Sequence, residues 1–166
     1  MKRISIFKKV AILAVALTIS VVANAQYQGD KAIGGHLAFG SGGSYTNNGI
    51  GVKFQYNVTD PIRLEGSYTS FFKKDYISMW DFSANVHWLF EVADKIRLYP
   101  LAGLGTMGIK VEVRGLSASE SYFGLRFGGG MDVDLSDHLI LNFQLKYQTI
   151  EDGNRTMLSA GLAYKF

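Results

Sequence analysis

The stretch Leu158-Ser159-Ala160-Gly161-Leu162-Ala163-Tyr164-Lys165-Phe166 sets apolar side chains on even numbers and small or polar ones on most odd numbers. A period of two is the repeat of a β-strand, whose successive side chains point to opposite faces; an amphipathic helix repeats at 3.6. The preceding segment does the same, with Leu139, Leu141, Phe143, Leu145 and Tyr147 set against Asn142, Gln144, Lys146 and Gln148. Between the two lies Glu151-Asp152-Gly153-Asn154, a run of turn formers that reads as a tight reversal. Two alternating segments joined in this way predict an antiparallel hairpin.

Carried toward the N-terminus, the same template finds apolar side chains on one parity throughout. They are Phe123, Leu125, Phe127, Met131, Val133 and Leu135; Ile96, Leu98, Pro100, Ala102 and Leu104; Trp80, Phe82, Ala84, Val86, Trp88 and Phe90; Ile62, Leu64, Tyr68 and Phe72; Ile50, Val52, Phe54, Tyr56 and Val58; and Ile33, Leu37 and Phe39. Eight strands of roughly ten residues result, and no stretch between them is long enough for a crossover helix, so the chain reads as an antiparallel meander. Nineteen Gly, nine Tyr and eleven Phe beside two Pro fit such a chain of strands and turns. Three short stretches, beginning at Asn57, Glu91 and Asp134, recur every 34 to 43 residues, which is the spacing of one reversal per pair of strands.

The beginning of the chain is different in kind. Lys2, Arg3, Lys8 and Lys9 precede an apolar run from Val10 to Ala23, and Ala23-Asn24-Ala25 has the small-x-small form of a signal-peptidase site. A run of about 14 residues falls short of the roughly 20 that a spanning helix needs. Residues 1–25 are therefore expected to be a cleaved signal peptide, and 26–166 a single barrel domain. The absence of cysteine excludes disulfides and thiolate metal sites, and a net charge of +3 gives no reason to expect nucleic acid.

The opposite parity decides which solvent the apolar face meets. It carries Lys53, Gln55, Arg63, Glu65, Asp81, Asn85, His87, Glu91, Arg97, Arg126, Asp132, Asp134, Asn142, Gln144, Lys146 and Lys165. A soluble barrel would have to fit Phe82, Trp88, Phe127 and Leu145 inside, and an eight-stranded cylinder has little interior to offer. The inverse arrangement, bulky apolar side chains toward lipid and polar ones packed within, is that of a transmembrane barrel. Closure then satisfies every backbone group in hydrocarbon. Tyr56, Trp80, Trp88 and Phe90 fall near the ends of the apolar bands, where an aromatic girdle belongs.

With these features, and with the strand Arg97-Leu98-Tyr99-Pro100-Leu101-Ala102-Gly103-Leu104-Gly105 and the terminal Tyr164-Lys165-Phe166, the chain resembles the small eight-stranded outer-membrane β-barrel superfamily, including the OmpX, OmpW and OmpA transmembrane domains. The resemblance covers the mature chain and implies an all-β, up-and-down barrel in the bacterial outer membrane. It implies that Leu162, Tyr164 and Phe166 are the signal read by the barrel assembly machinery and periplasmic chaperones. The partners it implies are these and outer-membrane lipid, with the barrel a monomer. It transfers no single activity, because attachment, anchoring, small-molecule passage and lipid modification all occur on this scaffold.

Candidate sites are few. Gly103-Leu104-Gly105-Thr106-Met107-Gly108 matches a dinucleotide fingerprint, but Ile109 to Val113 continue as an alternating strand where the fingerprint needs a helix, so the glycines read as relief of crowding. Ser83, Asp81 and His87 are the nearest approach to a hydrolytic constellation; His36, His87 and His138 all map away from the outer end, where a lipid-modifying enzyme would work. No cofactor and no metal site is expected. The inward charges, Lys53, Arg63, Arg97, Arg126, Lys146 and Lys165 against Glu65, Asp81, Glu91, Asp132 and Asp134, are nearly balanced and are expected to form a lumen ionic network that plugs the barrel. The expected role is thus a non-enzymatic surface, structural or adhesion-type barrel. Its outer strand tops would be Ser44-Tyr45-Thr46, Phe71-Phe72-Lys73-Lys74 and Leu116 to Tyr122, beside Lys110 and Glu112, whose break in parity predicts a bulge or a strand top outside the membrane. The alternatives are a channel or binding barrel for a small, apolar solute and an outer-leaflet lipid-modifying enzyme.

Overall fold

The alternating pattern folds as read. In a computed structural model that describes residues 28–43, 45–150 and 153–166, the strands are β1 (Lys31–Gly42), β2 (Tyr45–Asn57), β3 (Ile62–Lys74), β4 (Ile77–Trp88), β5 (Phe90–Ala93), β6 (Ile96–Val113), β7 (Leu116–Asp134), β8 (Leu139–Ile150) and β9 (Gly153–Lys165). The expected signal peptide, Ser44, Glu151 and Asp152 lie outside the described residues. Each strand pairs antiparallel with its neighbours, and β1 pairs with β9 from Ala32 opposite Lys165 to Ser41 opposite Thr156, so the sheet is closed. Both β4 and β5 pair with β6, and one register carries from His87 opposite Leu101 through Phe90 opposite Leu98 to Glu91 opposite Arg97 before it shifts at Ala93. They are two parts of one stave, which makes eight staves in the wall. The interruption falls where Trp88 faces Pro100, a residue with no N–H to give the ladder.

Side chains sort as in a membrane barrel. Phe54, Phe82, Trp88, Leu125, Phe127, Leu145 and Leu162 point outward and are exposed, while Arg63, Glu65, Asp81, His87, Arg126, Asp132 and Lys146 point inward and are buried. A soluble protein of this composition would do the reverse. Trp88 stacks on Phe90 with ring centroids 6.4 Å apart near the end of the barrel where β1 begins and β9 ends, the periplasmic end in the expected orientation, and Trp80 stacks on Tyr68, also at 6.4 Å, toward the opposite, outer end.

Two of the three recurring reversals share one design. After β2, Val58 and Thr59 donate their N–H groups to Ile62 O, and Thr59 Oγ1 accepts from Ile62 N at 3.2 Å. After β7, Leu135 and Ser136 donate to Leu139 O, and Ser136 Oγ accepts from Leu139 N, again at 3.2 Å. A hydroxyl at the second position of each loop is what the two sequences have in common. The reversal between β5 and β6 is instead a tight turn through Asp94 and Lys95, with Lys95 at φ 66°.

At the outer end, the β3–β4 and β6–β7 turns are two-residue turns with positive φ at both positions: 50° and 67° at Asp75 and Tyr76, 49° and 84° at Arg114 and Gly115. This geometry matches the twist of the flanking strands. The stretch from Arg114 to Ser121, which the alternation leaves between two strands, is not a loop: β6 and β7 run 18 and 19 residues and stay paired up to Val113 opposite Leu116. Nor is there a bulge at Lys110 and Glu112, since the register between β6 and β7 does not shift. The top of β7 passes beyond Ile150, the last residue of β8, which pairs with Gly124. There it forms a ribbon with the top of β6, whose Glu112 pairs with Lys73 at the top of β3 and with Lys110 on its own strand, at 2.8 and 2.7 Å.

Candidate functional site in the barrel lumen

Strand parity aims every second side chain at the axis, and register stacks them in layers. Nearest the periplasmic mouth, Arg97 of β6 donates two hydrogen bonds to Asp134 of β7, at 2.6 and 2.5 Å. Glu91, opposite Arg97 on β5, and Lys165 on β9 are half-exposed at this mouth.

One layer up, Arg63 of β3 donates to Asp132 of β7 at 2.6 Å, with both side chains fully buried. Its Nε donates to His87 Nδ1 at 3.2 Å, so that nitrogen carries no proton and the ring N–H is Nε2, 3.7 Å from Glu65 Oε1. Tyr99 lies flat on His87 at 4.5 Å between centroids, and the Arg63 guanidinium sits 4.8 Å from the Tyr99 ring centre. Tyr99 belongs to the inward parity of Arg97. Its aromatic character disguises it as one more lipid-facing residue, yet the alternation alone places it inside.

Glu65 is the hub of the middle layer. It accepts from Gln55 at 2.8 Å and Gln144 at 2.7 Å, and stands 3.4 Å from Lys146 Nζ and 3.9 Å from Lys53 Nζ. Lys53 also donates to Asn142, which in turn donates to Asp132, so the middle and lower layers form one connected system. Above it, Arg126 of β7 makes a two-pronged pair with Asp81 of β4, at 2.7 and 2.6 Å. The glycines that imitate a dinucleotide fingerprint make room here: a Cβ on Gly105 would lie 2.1 Å from the Arg126 guanidinium carbon, and one on Gly108 would lie 2.2 Å from the Trp80 ring.

The would-be hydrolytic residues have other partners. Ser83 Oγ meets Ser67 Oγ at 2.7 Å, Asp81 holds Arg126, and His87 holds Arg63. Of the other histidines, His36 lies in mid-β1 with Nε2 2.9 Å from Thr69 Oγ1, and His138 stacks on Tyr164 at the periplasmic end with ring centroids 5.6 Å apart. Leu162 and Tyr164 are exposed on the lipid face of β9, and Phe166, which follows it, is exposed as well.

The outermost layer holds a cation that the lumen network expected from sequence leaves out. Arg155, which follows the β8–β9 turn, points inward, is only 5% exposed, and lies 4.3 Å above the ring of Phe71. Phe71 is itself a correction, since its sequence neighbourhood reads as an outward strand top while its side chain is buried with Ala38, Met79 and Met157. Arg155 donates to Asn47 and, at 3.0 Å, to Met107 Sδ. Above it opens a cavity of about 400 Å³ walled by Ile77, Ile109 and Ile150 and rimmed by Gly42, Gly43 and Gly153. With Arg155 counted, and with Glu91 and Lys165 set at the mouth, the lumen holds six buried cations (Lys53, Arg63, Arg97, Arg126, Lys146, Arg155). Against them stand four anions, Glu65, Asp81, Asp132 and the half-buried Asp134, among the described residues. Among the described residues, buried cations outnumber these anions by two.

A closed eight-stave cylinder, greasy outside and ionic within, is matched over residues 11–166 by the family described as outer membrane protein beta-barrel domain. The chain belongs to that family. Among solved structures, this member is similar to the N-terminal barrel of OprF from Pseudomonas aeruginosa, at 20% identity and TM-score 0.69, covering 85% of this chain and 100% of that one. It is similar to Ail, the attachment invasion locus protein of Yersinia pestis, at 20% identity and TM-score 0.63, with coverages of 84% and 99%. Neisserial surface protein A matches at 18% identity and TM-score 0.66, with coverages of 82% and 96%. No curated protein matches the sequence.

Proposed function

We propose that this family member is an integral protein of the bacterial outer membrane, exported by its N-terminal signal peptide, which acts as a non-enzymatic surface, structural or adhesion-type barrel with a plugged lumen. One observation carries the reading: Arg126–Asp81, Arg63–Asp132 and the hub at Glu65 span the interior at successive levels, each joining strands from different parts of the wall. Opening a water path through them would separate charge pairs held in a low-dielectric cylinder, where breaking one pair costs about 3–5 kcal/mol. The protruding β6–β7 ribbon, with Leu116 80% exposed and Val113 51% exposed at its tip, supplies a contact surface. One structural neighbour is named as an attachment invasion locus protein; at 20% identity that likeness carries the scaffold and no shared partner. The protein is expected to insert as a monomer into planar lipid bilayers without a large, stable conductance. A steady channel of porin size in the wild-type protein would refute the plugged lumen.

The outer cavity favours one second reading, a barrel that binds a small solute without passing it through. The lipid-modifying alternative has no observation in its favour, because Ser83, Asp81 and His87 are each engaged elsewhere. Lipid A mass spectra that changed on loss of the gene would revive it.

A further inference from the structure

We infer that the outer cavity is a binding site for a single-chain anionic amphiphile: one carboxylate or phosphate monoester on one apolar chain, its head on Arg155 and its chain along Ile77, Ile109 and Ile150. The first support is the guanidinium itself. Arg155 is only 5% exposed, yet among the described residues no carboxylate forms an ion pair with it. A buried charge without a counter-charge is costly, and buried arginines are normally paired. Its hydrogen-bond partners are the neutral oxygen of Asn47 and the sulfur of Met107, which occupy two of its five N–H donors. Donors remain for an anion, and a guanidinium presents them in the fork that a carboxylate or phosphate matches.

The second support is the shape and chemistry of the space. Its volume, about 400 Å³, falls within the range of small-ligand sites. The walls above Arg155 are isoleucines and methionines, with Asn47 and Asn154 the other polar side chains in the lining. An inorganic anion would leave those walls against water, and a neutral hydrocarbon would leave the guanidinium unpaired. A molecule with both parts satisfies both. On its lumen side Arg155 rests on the Phe71 ring, and the Arg126–Asp81 pair fills the next level, so the guanidinium stands at the base of an apolar cup. The excess of lumen cations gives a field of the right sign.

The proposal goes beyond the plugged-lumen reading, and the two are measured separately. Folded protein in nanodiscs of neutral lipid is titrated with decanoate, decyl phosphate, decanol and inorganic phosphate, and binding is followed by calorimetry and by the ¹³C shift of labelled decanoate. Decanoate, decyl phosphate or both should saturate at one per barrel, at least about tenfold tighter than decanol or inorganic phosphate, because only they offer both the charge-assisted contact and the apolar chain. The stronger of the two points to its source, a free carboxylate or a lipid-type phosphate. Arg155→Met should lose that preference, and Arg155→Lys should retain part of it. Ile109→Trp, which fills the cup and leaves the cation, should abolish binding in a barrel whose gel mobility is still heat-modifiable. Equal uptake of decanoate and decanol, unsaturable uptake, or unchanged binding in folded Arg155→Met would overturn the assignment. A conducting wild-type channel would sink the plug and leave these binding results standing.

Discussion

Arg126 and Asp81 show what a charge does inside a cylinder with hydrocarbon outside. Both side chains are about 1% exposed and meet through two hydrogen bonds, so neither can turn to water if the other is removed. Arg126→Met or Asp81→Leu alone is expected to lower stability by about 3–5 kcal/mol, while the double replacement Arg126→Met/Asp81→Leu should cost much less, because no orphan charge remains. Urea unfolding of the four proteins in lipid vesicles tests the cycle, and simple additivity would contradict it. Tyr76 makes the opposite case. It is held at φ 67° in a two-residue turn and is 69% exposed, so its side chain bears left-handed strain with little packing in return. Tyr76→Gly should stabilise the barrel by up to about 1 kcal/mol in the same assay, because glycine adopts that conformation freely.

The strands as elements were legible from the alternation, because one face must meet lipid and the other cannot. Trp88, Phe127 and Leu145 lie where their parity puts them. Pairing across the lumen was less legible: Arg126 meets Asp81 across 45 positions of sequence, a choice set by shear and register rather than by neighbours in the chain. Arg155 was readable by parity, but it follows a turn so closely that it passes for part of it. The length of β6 and β7 is less legible, because their residues stop alternating once both faces leave the membrane, although the hydrogen-bonded ladder continues. That ribbon carries a pH prediction. Glu112 accepts from Lys110 and Lys73, and these bonds lower its carboxyl from 4.5 to about 2. A depressed acid contributes its stabilisation above the unfolded value, so these contacts should hold at neutral pH, weaken below about 4.5, and be lost as pH falls through about 2. A Glu112 carboxyl NMR titration should report that low midpoint and return toward 4.5 in Lys73→Met/Lys110→Met; a wild-type midpoint already near 4.5 would dismiss the pairing.

At the scale of the molecule, the wall is complete only where β9 meets β1, with Phe166 N donating to Lys31 O at 2.8 Å beside that seam. If the exposed aromatics of β9 address the chain to the assembly machinery, Phe166→Ala should reduce the heat-modifiable fraction in cells while leaving refolding into detergent intact. Equal losses in both settings would point to ordinary destabilisation instead. The same seam sets a condition on manufacture. The stave that shuts the cylinder comes after every other in chain order, so a copy halted before Gly153 would leave β1 and β8 as two raw rims in oil, each unpaired backbone group costing several kcal/mol. Truncated chains therefore have no resting place in the bilayer, and the lipid itself sorts finished copies from unfinished ones.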